Sequence, residues 1–250
     1  MRDMKIHFLG TNGWYDSDMG NTVSALIDSK EAYIILDAGF GMAKAGDYIK
    51  EDKPVYLFLS HFHVDHICGL HTLTKLCLKR PLTIISHKGL KKMMKTLFSH
   101  PYASSLKELN FPVNFLEVEA GKYNTPIRFD CLPLQHIDED FGYRFYLENK
   151  IVAYCTDTHP CANDIKLAEN ADLLIHDSGY WEEQTADFWG HSDPTGAAKV
   201  AKQAKAKKMY LTQFGPNSFK TRAKRLAAQA RARKIFKNSF AAFDGVTVNI

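Results

Sequence analysis

Val55-Tyr56-Leu57-Phe58-Leu59-Ser60, running straight into His61-Phe62-His63-Val64-Asp65-His66, is the stretch on which the reading of this chain turns. Its first half is a continuous apolar run of strand length. Ile67-Cys68-Gly69-Leu70 follows, so a buried strand is expected to end in a loop that carries three imidazoles and a carboxylate into a helix start. Neutral imidazole nitrogens and carboxylate oxygens are the ligands that divalent zinc, manganese and iron take. Two histidines one residue apart on extended chain point the same way and can share an ion. Asp65 and His66, a step further on, would face a second. A histidine-rich surface loop is the competing reading, and it does not explain why the ligand types recur at these positions.

Working outward, 250 residues with a hydrophobic fraction of 45% are ample for a real core, and we read residues 1–250 as one domain. Met1 to Met4 leads directly into the strand-like Lys5-Ile6-His7-Phe8-Leu9, which is too short for a secretory apolar region. No window reaches the apolar length that spans a bilayer, so a soluble, cytoplasmic protein with no membrane partner is expected. The five cysteines are odd in number and form no C-x-x-C pair, which points to reduced, mostly buried thiols and neither a disulfide framework nor a zinc knuckle. Net charge is +4, with the basic excess near the C-terminus.

Lys5 to Leu9, Val23 to Asp28 and Ala32 to Asp37 read as an antiparallel meander. A short helix (about Met42 to Tyr48) precedes the strand that delivers the histidines. Helix near Leu70 to Leu78, strand Leu82 to Ser86 and a basic amphipathic helix from about Gly89 to Phe98 follow. Strands are expected around Val113 to Val118, Arg128 to Leu134, Tyr143 to Leu147 and Ile151 to Cys155. The last third alternates: helix Ala162 to Glu169, strand Leu173 to His176, helix Pro194 to Ala204, strand Met209 to Thr212, a long helix from about Phe219 to Phe236, and strand Val246 to Ile250. Strands first and βα units after, twice over, fit an α/β sandwich of two mixed sheets flanked by helices. Active sites in such layouts lie on loops at strand ends. His136, after Leu132-Pro133-Leu134, and Asp157, after Val152-Ala153-Tyr154-Cys155-Thr156, both fall there, and His61 with His63 leaves a tetrahedral ion short of ligands.

With these residues in view the chain resembles the metallo-β-lactamase superfamily, in particular the branch of ribonuclease Z and the cyclic phosphodiesterases. The resemblance runs nearly the full length. It rests on Phe8-Leu9-Gly10-Thr11, Leu36-Asp37-Ala38-Gly39, the histidine cluster, Gln135-His136, Cys155-Thr156-Asp157-Thr158, Ile175-His176-Asp177, Gly190-His191-Ser192 and Phe243-Asp244-Gly245. It implies an αββα fold in which His61, His63 and His136 hold one ion, Asp65 and His66 a second, and Asp157 bridges them. It further implies catalytic roles for Asp65 and for His191, a phosphate contact and proton donor, with Asp177 in place of the usual Glu behind that histidine. A homodimer is a further expectation from the resemblance.

One departure matters. Relatives of this branch place a second-ion histidine in Leu-Thr-His, whereas this chain reads Leu211-Thr212-Gln213. The amide oxygen of Gln213 can coordinate, but weakly. One or two divalent ions are therefore expected, zinc at the first site and manganese or iron, loosely held, at the second. A labile pair, a single ion and a degenerate metal- or ligand-binding protein all stay open.

The expected reaction is hydrolysis of a phosphodiester, small and cyclic or nucleotide-like, by a metal-activated hydroxide. A carboxylic-ester, lactone or thioester substrate is the alternative. Ribonuclease Z carries a long arm between the third histidine and the bridging aspartate, and Ile137 to Thr156 leaves no room for one. Against that, Lys220 to Lys237 holds Lys220, Arg222, Lys224, Arg225, Arg231, Arg233, Lys234 and Lys237 with no acid. It reads either as a nucleic-acid surface or as a solvated face with Leu226, Ala230 and Ile235 turned inward.

Overall fold

In the computed structural model, which describes residues 3–182 and 189–250, the first half of the chain builds one sheet and the second half another. The first contains β1 (Lys5–Gly10), β2 (Ser24–Asp28), β3 (Tyr33–Leu36), β4 (Val55–Phe58), β5 (Leu82–Ser86) and β6 (Val113–Glu117). The second contains β7 (Gly121–Tyr123), β8 (Phe129–Pro133), β9 (Phe141–Leu147), β10 (Lys150–Cys155), β11 (Leu173–Asp177), β12 (Met209–Thr212) and β13 (Ser239–Ala241). The closing strand β14 (Thr247–Asn249) returns to pair with β1, so each sheet has seven strands, ordered β14-β1-β2-β3-β4-β5-β6 and β13-β12-β11-β10-β9-β8-β7.

Both sheets are mixed. The expected meander is antiparallel, and β3 to β6 then run parallel, as do β10 to β13. Parallel strands are covered on both faces, which is why β3 and β11 are buried at every position, β11 ending its apolar Leu173-Leu174-Ile175 in His176 and Asp177. Between the sheets lies an aromatic core in which the ring of Phe58 meets Phe129, Tyr143 and Phe145 edge-on at 4.8–5.1 Å. Separate apolar clusters fill the outer face of each sheet beneath its helices. The result is the αββα layering that the strand order implies.

Several boundaries differ from expectation for local reasons. In place of a helix from Leu70, a four-residue α1 (Val64–Ile67) passes into a 3₁₀ stretch, Cys68–Leu76. Gly69 is pressed against the backbone there, its N–H donating to Ala38 O at 2.7 Å, and a Cβ would come 2.1 Å from Gly39 O. The short helix before β4 is likewise 3₁₀ (Phe40–Asp47). The helices α2 (Leu90–Leu97), α3 (Ala162–Ala168) and α4 (Pro194–Gln203) stand where expected, α4 capped by Asp193 with proline at its first turn. The three-residue strands β7 and β13 were not legible in the sequence. Of the five free cysteines only Cys131 and Cys155 are buried, and Cys77 is exposed, so the thiols are less sheltered than expected. Among the described residues no helix is long and apolar enough to cross a membrane.

The basic C-terminal helix, α5 (Arg222–Arg233), buries a different face from the one its leucine suggests. Arg225, Ala228 and Ala232 point inward, while Leu226 is 42% exposed. Arg225 is fully buried because it meets acceptors: its guanidinium donates to Thr11 Oγ1 at 2.7 Å and to Asn12 Oδ1, and lies 4.6 Å over the Phe214 ring. Arg231 donates to Trp181 O at 2.6 Å and Arg233 to Ser239 O at 2.8 Å. Arg222 sits over Phe243 and Lys224 over Trp181. Much of the charge on this helix is thus spent on holding it to the body.

Candidate metal centre

The site assembles where strands of both sheets end. His61 and His63 follow β4, Asp65 and His66 lie in α1, His136 follows β8, Asp157 follows β10, Asp177 ends β11 and Gln213 follows β12. Three strand-end residues, Asp37, Asp157 and Gln213, have left-handed backbones at φ 55°, 46° and 58°, and all are buried. Such conformations are costly for residues with a Cβ and persist where the surroundings over-determine them.

The residues singled out in the sequence converge into overlapping groups. Ligand atoms of His61, His63 and His136 lie within 4.8 Å of one another, as do those of His61, His66 and Asp157, and those of Asp157, Asp177 and His191. Asp65 stands at the edge, its Oδ2 3.5 Å from His66 Nε2.

The three-histidine group fits an ion. His61 Nδ1 is engaged by Ser60 Oγ at 3.0 Å and by Asp140 Oδ1 at 3.3 Å, while its buried Nε2 has no hydrogen-bond partner among the described residues. His63 Nε2 meets Asp138 Oδ2 at 2.8 Å, which leaves Nδ1 facing His136 Nε2 at 3.3 Å. His61 and His63 thus each have one nitrogen oriented from outside and the other turned to a common point, as a ligating histidine requires, and His136 turns its Nε2 to the same point while its buried Nδ1 has no hydrogen-bond partner among the described residues. Burial, aided by the neighbouring His66, holds His61 well below its ordinary pKa against the pull of Asp157. His136 is lowered by burial and by His191 and His63. Neutral imidazoles with available lone pairs are what an ion needs.

The second group differs. His66 Nδ1 lies 2.9 Å from Asp37 Oδ2, and that carboxylate also accepts from Ser60 Oγ at 2.9 Å and Tyr154 OH at 2.7 Å. His66 Nε2 looks across at Asp157 Oδ1, 3.2 Å away. In the space between them sits the side-chain nitrogen of Gln213, 3.0 Å from His66 Nε2, 3.1 Å from Asp157 Oδ2 and 3.2 Å from Asp65 Oδ2. The expected ligand atom, Gln213 Oε1, is turned away. This group therefore does not fit a second ion as it stands. Burial pulls His66 toward neutrality, but Asp157, Asp65 and Asp37 outweigh it and raise its pKa well above the ordinary value. An entering cation would have to displace both the amide nitrogen and the proton that these carboxylates favour on the imidazole.

His191 stands beside the first group, its ring 5.5 Å from that of His136. Its Nδ1 lies 2.7 Å from Asp177 Oδ2. Asp177 is fully buried, accepts from Thr158 N at 3.0 Å and Gly179 N at 2.5 Å, and has its pKa raised by burial, with His191 opposing and Asp157 adding to the rise. A shorter carboxylate than glutamate therefore still reaches the imidazole.

Sequence reading missed the residues that orient these groups. Asp37 follows β3 in a stretch already noted, and the acidic triplet Asp138-Glu139-Asp140 begins two residues after His136; both were visible without an assignable role. Asp140 is buried, and burial with Asp157 and Asp37 pushes its pKa well above the usual carboxylate range. Trp14 had no signal at all: its backbone N–H donates to Asp65 Oδ2 at 2.7 Å, yet its side chain is 71% exposed.

Two seven-stranded sheets between helices, with His and Asp ligands gathered at their strand ends, define a metal-dependent hydrolase of the metallo-β-lactamase fold. The chain belongs to the beta-lactamase superfamily, whose domain model matches residues 32–214. Ribonuclease BN of Proteus mirabilis (strain HI4320) is 26% identical over 275 residues, covering 84% of this chain and 88% of that protein. The metallo-beta-lactamase fold protein YhfI from Bacillus subtilis superposes with a TM-score of 0.79 at 21% identity, over 99% of this chain and 100% of that one. A diphosphatase from the PhnP family gives 0.74 at 17% identity, over 99% and 98%. At such identities the structural likeness speaks for the fold.

Proposed function

We propose that residues 1–250 act as one domain that hydrolyses a phosphodiester, small and cyclic or nucleotide-like. The observation that carries this reading is the Asp177–His191 pair beside the three-histidine group. His61, His63 and His136 would hold an ion, which when bound would supply Lewis acidity and a more acidic water. The remaining work falls to side chains. His191, its Nδ1–H held by Asp177, gives a proton from Nε2 to the leaving oxygen as the P–O bond breaks, and Asp177 stabilises the imidazolium beforehand. An acyl substrate would ask for an apolar pocket at the ion; an apolar cavity of about 520 Å³ lined by Phe62, Ile67, Met93, Leu97 and Tyr102 includes none of the candidate ligands.

A compact substrate is supported by what surrounds the site. The segment between His136 and Asp157 is taken up by the hairpin β9–β10, which packs into the sheet and offers no arm. The inward use of Arg225, Arg231 and Arg233 argues against the C-terminal helix as the main nucleic-acid surface. The ring of Trp189, 52% exposed and 6.3 Å from the His63 ring, and the exposed ring of Trp14, whose backbone N–H reaches Asp65, suit stacking of a base. The ribonuclease name of the relative points to the same bond type.

The test is turnover of bis-p-nitrophenyl phosphate, 2′,3′-cyclic nucleotides and a lactone with added Zn²⁺ or Mn²⁺. Diester hydrolysis that falls by about 100-fold or more in His191→Ala is expected. Lactone turnover without diester turnover would overturn the reading, and nucleotide binding without any turnover would favour a binding protein.

A further inference from the structure

We infer that the Gln213 carboxamide takes the place of a second cation, making this a one-ion centre by construction. The inference presupposes the three-histidine site and is independent of the bond that is hydrolysed. It rests on where the amide nitrogen lies: 3.0–3.2 Å from His66, Asp157 and Asp65 at once, the position from which an ion would contact the same three side chains.

Chemistry fixes which end of the amide faces inward. The carboxylate oxygens of Asp157 and Asp65 accept hydrogen bonds; an NH₂ group offers its two hydrogens to them, whereas a carbonyl oxygen would be repelled. Oε1 is left buried with no hydrogen-bond partner among the described residues, a cost tolerated so that Nε2 can serve the charged groups. The partial positive charge of the NH₂ offsets part of what an ion would neutralise.

The amide is also held there. Gln213 is 2% exposed on a left-handed backbone, Phe214 N donates to Thr11 O at 3.0 Å, and Gly13 N returns a bond to Phe214 O at 3.1 Å. Gly13 closes over the amide so tightly that a Cβ there would lie 2.9 Å from Nε2. Swinging the side chain out requires this two-loop clasp to open. With the amide in place, the leaving oxygen has no second ion beside it, and its proton must come from His191.

Metal stoichiometry tests this directly. Chelator-stripped protein is titrated with Mn²⁺ or Zn²⁺ alone, and bound ions are counted by native mass spectrometry and calorimetry. Wild type should bind one ion per chain, with any second at least about 100-fold weaker. Gln213→His is compatible with the left-handed backbone, since histidine is among the residues enriched there, and should recruit a second ion at least about tenfold more tightly than wild type. Gln213→Glu, which sets a third carboxylate against Asp65 and Asp157, should do the same and decides the matter if the histidine variant fails to fold. Manganese paramagnetic resonance should report isolated ions in wild type and exchange-coupled pairs in the variants. Two ions of comparable affinity in wild type would overturn the inference, as would folded variants that still take only one.

Discussion

Replacing Arg225 with methionine tests how far the basic C-terminal helix is structural. The guanidinium is fully buried, and burial lowers its pKa to about 10 against the opposing pull of Asp244, so it remains charged at neutral pH. Methionine keeps most of the volume and removes the donors. Asn12 Oδ1 then loses its charged partner and Thr11 Oγ1 loses one of two contacts, its bond to Asp244 remaining at 2.8 Å. Each orphaned acceptor costs roughly 1–3 kcal/mol, and relief from burying the charge returns part of the sum. A net loss of about 3 kcal/mol corresponds, at about 2–4 °C per kcal/mol in a domain of this size, to a fall in Tm of roughly 6–12 °C. Thermal unfolding of metal-free protein followed by circular dichroism measures it, metal being left out so that binding does not mask the change. A Tm within about 2 °C of wild type would refute the claim that this arginine anchors the Thr11–Asn12 loop.

Three further expectations concern the site and its surroundings. Asp177→Asn should lower kcat about 100-fold with little change in KM, because the buried imidazole partner is lost while substrate contacts remain; an equal rise in KM would show a binding role instead. Trp14→Ala should raise KM for 2′,3′-cyclic nucleotides at least about fivefold, the lower end of the roughly 1–3 kcal/mol per stacked base, and leave a base-free cyclic phosphodiester unaffected; equal effects on both would remove the stacking role. Asp172, far from the centre, has a depressed pKa: burial raises it, but bonds from Lys207 and Ile151 N and the charge of Lys150 outweigh that. Its contribution is present at pH 7 and disappears as pH falls from the ordinary aspartate value, near 4, through the depressed one, so urea midpoints of wild type and Asp172→Asn should converge at low pH. A gap that persists at pH 2 would contradict this.

Much of the architecture could be read from periodicity, because parallel strands buried on both faces leave uninterrupted apolar runs and β5 and β12 fall where those runs lie. The ligand side chains were legible for a related reason: histidines and aspartates directly after such runs have few other uses. Illegible were features set by a partner distant in sequence. The inward face of α5 follows Arg225 and not Leu226, since only the folded chain brings Thr11 and Asn12 to that arginine. Gln213 was recognised as the odd residue, but which of its amide atoms faces the centre depends on Asp65, His66 and Asp157 meeting around it. Trp14 could not be assigned because its contribution to Asp65 is a backbone N–H, which any residue carries.

Arg225 and Asp244 bear on the order in which this protein comes into being. Asp244 accepts from Thr11 Oγ1, from Asn21 N at 2.9 Å and from Lys44 at 2.9 Å, so the loop that lays Trp14 on Asp65 is fixed by residues more than 200 positions further along the chain. At about 5–20 residues per second, the ribosome delivers His61, His63 and His136 several seconds before these anchors emerge. A nascent chain therefore carries the three-histidine group while its first loop is still unclasped, and metal loading that depends on the finished geometry waits until Asp244 has emerged.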